Sequence, residues 1–191
     1  MEQLIKGLYY EFVALPCNDA PYSMPLGLLM REEPLFRVYR GTGLYRLLGR
    51  GRRPLYLLSP FDPMAFVYSV DHSLERRIEW EGKCPKVDPS IGAWFHCVAE
   101  FMEASDNADL YICRGFKALT RSLHAYSRTY GCLVELLVLK TKVDAGVLGE
   151  DSLDYARWLY WCVRRSSPGD ERYAGVALSV LQEIERAVRS S

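Results

Sequence analysis

The stretch Tyr22–Leu48 constrains the fold more than any other part of this 191-residue chain. Its first half, Tyr22-Ser23-Met24-Pro25-Leu26-Gly27-Leu28-Leu29-Met30, has strand composition but carries Pro25 and Gly27 inside it. Proline has no N–H to give a ladder, and an interior glycine marks a bulge or a place where something approaches the backbone. After the turn Arg31-Glu32-Glu33-Pro34, the second half runs Leu35–Arg40 as a strand. It then passes through Gly41-Thr42-Gly43 into a short helical pattern carried by Leu44, Leu47 and Leu48. A glycine-rich step into a helix start leaves backbone N–H groups free to meet a phosphate. One strand offering bare backbone, followed by one ending in a phosphate seat, points to a flat phosphorylated ligand such as FMN. Arg40, Thr42 and Tyr45 are the side chains placed to serve it. A plain β-turn that uses Gly41 and Gly43 for backbone freedom accounts for the same residues.

Turn chemistry divides the rest of the first two-thirds in the same way. Leu8–Leu15 reads as a strand, and Pro16–Pro21 as a turn. Pro54–Leu58 is a short apolar strand. Asp62-Pro63 starts a helix reaching about Val70. Glu75–Trp80 reads as a further strand, and Glu81–Ser90 as a polar loop. Trp94–Ala104 alternates, with Phe95, Cys97 and Phe101 on one face, and turns back into Leu110–Arg114. About six or seven short strands separated by short helices predict a small barrel. The cluster Arg46, Arg50, Arg52 and Arg53 reads as a solvated helix C-terminus, where cations favour the dipole, with RNA or phosphate binding as the alternative.

Near Ser127 the pattern changes to helices. Gly131–Leu139 is apolar almost all round, as for a buried helix. A second helix starts at Asp151 or Ser152. Ser167-Pro168-Gly169-Asp170 reads as the cap of a third, with Tyr173, Val176, Ala177, Val180, Leu181, Ile184 and Val188 as its stripe. The expected organisation is a β-rich domain over residues 1–126 and a helical subdomain over 127–191. The fold class is α+β, mainly β. Tyr155, Trp158, Tyr160 and Trp161 fall on several faces of one helix. The reading is core or dimer contact, with some of these rings at an interface between two copies.

Composition removes several function classes. The formal net charge is +0, so no general attraction to nucleic acid or anionic membrane is implied. The longest apolar run, Cys132–Leu139, is interrupted by Glu135 and far short of the roughly 18 residues of a membrane span. Met1-Glu2-Gln3 does not open a secretory signal, and a cytoplasmic location is expected. The amides are confined to Gln3, Asn18, Asn107 and Gln182, a depletion seen in hyperthermophile proteins. The cysteines 17, 84, 97, 113, 132 and 162 would be free thiols in a mesophile cytosol, whereas a hyperthermophile source allows disulfides inside the cell. Their spacing gives no Cys-x-x-Cys site and no expected metal. The histidines 72, 96 and 124 are scattered, with His96 read as an ordinary polar neighbour on a strand face. No dinucleotide fingerprint, P-loop or nucleophile elbow occurs. No side chain stands out as a general acid or base.

Four segments, in order, resemble an archaeal family of split-barrel flavoproteins that is distantly similar to flavin-reductase-like FMN-binding domains. Tyr22–Gly27 resembles that family's Asn-Ala-Ala-Pro-Met-Gly strand. Phe36–Leu48 is similar to its strand and Gly-Ser-x-Thr-Tyr-x-Asn-Leu helix start. Ser59–Val67 is similar to its Asn-x-Thr-Asp-Asp-Pro-Leu-x-Phe-Val, and Tyr126–Glu135 to its Phe-Asn-Arg-Ala-x-Gly-x-Val-x-Glu. The resemblance implies a split β-barrel with a C-terminal helical part, an FMN cofactor, and a homodimer with the flavin near the subunit interface. The backbone of Met24, Pro25, Leu26 and Gly27 would face the isoalloxazine. Arg40, Gly41, Thr42 and Tyr45 would hold the phosphate end, with Ser59 nearby. Two polar positions of the family pattern carry Leu44 (or Gly43) and Leu57 or Leu58 here. The alternative is therefore a dimeric structural or regulatory module in which flavin binding is weakened or lost.

Overall fold

The computed structural model describes residues 4–121, 125–144 and 150–190. The strands are β1 (Tyr9–Pro16), β2 (Met24–Leu29), β3 (Leu35–Tyr39), β4 (Arg52–Pro60), β5 (Trp80–Glu81), β6 (Cys84–Pro85), β7 (Gly92–Ala104), β8 (Ala108–Ala118) and β9 (Tyr126–Ser127). The helices are α1 (Gly43–Leu48), α2 (Met64–Val70), α3 (Arg128–Asp144), α4 (Leu153–Ser166) and α5 (Glu171–Ser190). They form two compact units. One comprises residues 4–5 and Tyr10–Tyr126, the other Lys6–Tyr9 and residues 127–190.

The first unit is a closed antiparallel barrel of six strands in the order β2-β3-β8-β7-β4-β1, with β2 pairing back onto β1 and β9 outside the ring. This is the expected mainly-β barrel accompanied by a helical part. Alternation along the strands fills it. Phe12 meets Phe95 edge-on at 5.4 Å, and Phe36 stacks on Tyr111 at 5.4 Å. The Tyr111 hydroxyl donates to Gly49 O at 2.7 Å, so a buried phenol keeps a partner. The opposite faces of β1, β4 and β7 are buried as well. Val13, Leu15, Leu58 and Trp94 pack with Leu74 and Ile78 from the segment after α2. That second layer explains why Phe12–Pro16 and Leu57–Pro60 are buried without a break.

Several expected elements differ. Arg52 and Arg53 do not end a helix; they begin β4, where they pair with Glu100 and Ala99 of β7. Arg52 reaches the Glu100 carboxylate at 2.9 Å, so cross-strand pairing decides their place. Glu75–Trp80 is not a strand: Leu74–Arg76 is a 3-10 turn, and the Trp80 indole donates to Glu75 O at 3.1 Å, closing the segment on itself. The loop expected over Glu81–Ser90 contains the β5–β6 hairpin. The disulfide Cys17–Cys84 fixes that hairpin to the end of β1. β8 is longer than Leu110–Arg114 because β7 and β3 both pair along it.

In the second unit, Leu136, Leu139 and Val143 of α3 pack with Ala156, Leu159 and Val163 of α4. Ala177, Val180, Leu181 and Ile184 of α5 complete this core. The disulfide Cys132–Cys162 joins α3 to α4. The Thr129 hydroxyl donates to Ser166 O at 3.0 Å in the same seam. Two readings are corrected here. Ser167 is not the cap of α5: its hydroxyl donates back to Val163 O, and Asp170 accepts from Arg172 N at 3.0 Å instead. Nor is α3 buried all round. Val134, Leu137 and Val138 lie on the side away from the core and are exposed. Likewise Tyr155, Trp158 and Trp161 are exposed, while Tyr160 packs against the core. Among the described residues no helix is long and apolar enough to cross a membrane.

Candidate functional site

Two neighbouring backbone features make the site. The ladder between β2 and β3 is confined to Leu28↔Phe36 and Leu29↔Leu35. Met24, Pro25, Leu26 and Gly27 precede that paired part, and Pro25 has no N–H to extend it. The side chain of Leu26 is buried, whereas Met24, Pro25 and Gly27 are half-buried. This stretch keeps strand geometry outside the β3 ladder, and β2 also pairs with β1 on its other side.

The second feature is the turn from β3 into α1. Arg40 N donates to Asn107 O at 3.1 Å, fixing the turn against the β7–β8 hairpin. Gly41 has φ 88°, with open space where a side chain would begin. Only glycine takes that conformation without strain. The Thr42 hydroxyl accepts from Tyr45 N at 3.2 Å and donates to Tyr39 O at 2.8 Å, so it is the cap of α1. The guanidinium of Arg40 is 3.6 Å from Oδ1 of Asp109, whose side chain is 1% exposed. Neither Asp109 oxygen has a hydrogen bond. The turn therefore offers a half-exposed arginine drawn toward a buried carboxylate, and a threonine engaged as a cap.

Tyr22, which the sequence reading passed over as a strand residue, joins the two features. Its hydroxyl lies 3.7 Å from Met24 Sδ, and a Cβ placed on Gly43 would sit 2.5 Å from that same oxygen. A side chain at position 43 would have to displace the end of the Tyr22 ring. Burial is the main cause that raises the Tyr22 pKa, so the phenol stays neutral at physiological pH. Ser59 lies in β4 opposite Ala93, fully buried, with no partner for its hydroxyl. Its hydroxyl makes no hydrogen bond to β2 or to the Arg40 turn.

A second cluster was also missed. Oε1 of Glu75 accepts from Ser23 N at 2.7 Å and from the Ser23 hydroxyl at 2.9 Å, and lies 3.2 Å from His72 Nδ1. His72 has φ 60°, the one non-glycine at positive φ among the described residues. Pro21, Tyr22, His72, Glu75 and Arg76 line a cleft of about 330 Å³. The strand expected over Glu75–Trp80 hid this cluster. The turn residues Asp71-His72-Ser73 were the available signal. His96 sits half-buried on β7 with its ring 5.0 Å from Tyr56, and burial lowers its pKa. His124 lies outside the described residues.

No protein-family model and no curated protein matches the chain. Among solved structures, an FMN-bound protein from Methanosarcina mazei is similar at 20% identity, with a TM-score of 0.45 over 96% of each chain. The NADH:FAD oxidoreductase of Streptomyces globisporus, in complex with NAD and FAD fragments, aligns at 14% identity and TM-score 0.44. That alignment covers 64% of this chain and 80% of that one. The styrene monooxygenase flavin reductase of Pseudomonas putida aligns at 16% identity and TM-score 0.38, covering 62% and 90%.

Proposed function

We propose that this chain is an FMN-binding flavoprotein that acts as an oxidoreductase, with residues 1–126 as the flavin domain and 127–191 as a helical subdomain. The supporting observation is the β2 stretch Met24–Gly27, which lies outside the β3 ladder and is joined through Tyr22 to the Arg40–Gly43 turn. The residues present suit the group. The β2 backbone would orient the isoalloxazine, and Arg40, Gly41, Thr42 and Tyr45 would receive the phosphate, with Ser59 in the nearby wall. FMN when bound supplies the redox chemistry, and the protein supplies placement and electrostatics. The first expected result is a yellow protein whose flavin absorption matches its own molar concentration. Colourless protein that leaves the fluorescence of added FMN unquenched would sink the reading.

One observation favours the alternative, a module with weakened or lost flavin binding. Thr42 is engaged as a helix cap, and Arg40 is turned to Asp109. The same titration separates the two, because that module leaves free FMN bright at every protein concentration.

We also infer a homodimer. α3 presents Tyr130, Val134, Leu137 and Val138 outward, and α4 presents Tyr155, Trp158 and Trp161. Large exposed apolar patches mark interaction surfaces. Val134→Asp is expected to weaken the dimer by roughly 30-fold, the equivalent of about 2 kcal/mol at an interface centre. Far-UV circular dichroism should stay unchanged. Light scattering behind a sizing column reads the result, and a wild-type monomer at low micromolar concentration refutes the dimer. Disulfides in a chain assigned to the cytoplasm, together with its low amide content, support a thermophilic source.

A further inference from the structure

Four of the six cysteines are bonded, Cys17 to Cys84 and Cys132 to Cys162. Cys97 and Cys113 remain, both buried inside the barrel. They lie on adjacent antiparallel strands, β7 and β8, beside the register shift between His96 and Val98. Their sulfurs are 2.7 Å apart, within about 0.7 Å of a covalent sulfur–sulfur bond. Cys113 pairs with Ala99, and Cys97, two residues back along β7, lies on the same face; Gly115, at φ 61°, sits in the shifted stretch of β8. With the other four cysteines committed, each of these two has the other as its nearest covalent partner.

We propose that Cys97 and Cys113 are a covalent modification site: a third intramolecular disulfide, pinning β7 to β8 beside the register shift. In the bond-forming step, one thiolate attacks an external disulfide of the glutathione class and releases one glutathione thiolate. The second cysteine then attacks the mixed disulfide and releases the other. The protein loses two protons and two electrons, and the external disulfide is reduced to two thiols. The step belongs to the period before the barrel closes. In the folded protein, burial first and the neighbouring Cys97 second push the Cys113 thiol well above its ordinary pKa. Little thiolate is then available, and the same burial shields the finished bond from reductants.

The test is a thiol count on the full chain, purified without reductant and equilibrated with oxidised glutathione during refolding. The protein is unfolded in guanidinium with iodoacetamide present, then digested without reduction. The expected result is no alkylated cysteine and a linked peptide pair joining Cys97 to Cys113. A second sample, Cys113→Ala, should leave Cys97 as the one cysteine outside an intramolecular disulfide, alkylated or carrying glutathione, with the other two disulfides intact. Alkylation of both Cys97 and Cys113 in the wild type overturns the proposal. So does a linkage of either one to any other cysteine.

Discussion

Replacing Cys17 and Cys84 together by alanine is expected to lower the stability of the barrel unit by about 4 kcal/mol. The bond closes a loop of 67 residues in sequence, and the loop entropy it removes from the unfolded chain is of that size. The loss comes through the unfolded state, because backbone bonds hold the junction without the sulfurs. Cys17 N donates to Pro54 O at 3.2 Å, and Asn18 N to Lys83 O at 2.8 Å. The fold should therefore persist with a weaker barrel. Native-state hydrogen exchange at Phe12, Leu57 and Trp94 should speed up by roughly a thousandfold. Amides of α3, α4 and α5 should keep their rates. An acceleration below tenfold in the barrel would mean that the open chain is already held compact without the bond.

Arg40→Ala is expected to act first on folding. The change leaves Asp109 buried with its nearest cation gone and both oxygens without hydrogen bonds. Breaking a fully buried pair costs about 3–5 kcal/mol. The Arg40 side chain is 45% exposed, so about 2–3 kcal/mol is the appropriate figure. Adding Asp109→Asn should restore most of it, since the orphaned charge is the source of the loss. That background isolates the proposed ligand contact. In Arg40→Ala with Asp109→Asn, FMN should bind about tenfold to a hundredfold more weakly than in Asp109→Asn alone. Riboflavin, which has no phosphate, should be unaffected. Equal losses for the two ligands would leave Arg40 with a folding role only.

Local chemistry made much of the barrel legible. Pro25 and Gly27 mark β2, and the Gly41-Thr42-Gly43 step marks the start of α1. Alternation marks β7. What the sequence hid is long-range. Nothing near Arg52 says that Glu100 will draw it into β4, or that Trp80 will fold back on Glu75 and cancel a strand. Asp109 sits in an ordinary strand run, and its coupling to Arg40 exists only once β3 lies beside β8. Tyr22 and Gly43 are likewise 21 positions apart, and only the closed turn shows that the Tyr22 ring end occupies the space a side chain at position 43 would take. In α3 the hydrophobic pattern was read correctly as apolar all round. The error lay in assigning every face to one core, when Val134, Leu137 and Val138 are left outside it.

The helical unit is not made from one continuous length of chain. Lys6–Tyr9 belongs to it, and Gly169 N donates to Gly7 O at 3.4 Å. A Cβ on either glycine would come within 2.8 Å of the other's backbone, so the two main chains touch where no side chain can intervene. During synthesis the ribosome therefore releases residues 6–9 long before their partner exists. The loop between α4 and α5 emerges only after α4 and closes on that much earlier segment. A fragment beginning at residue 127 would carry all three helices and still lack a piece of its own unit. Transplanting the helices to another protein would require bringing that short opening segment along with them.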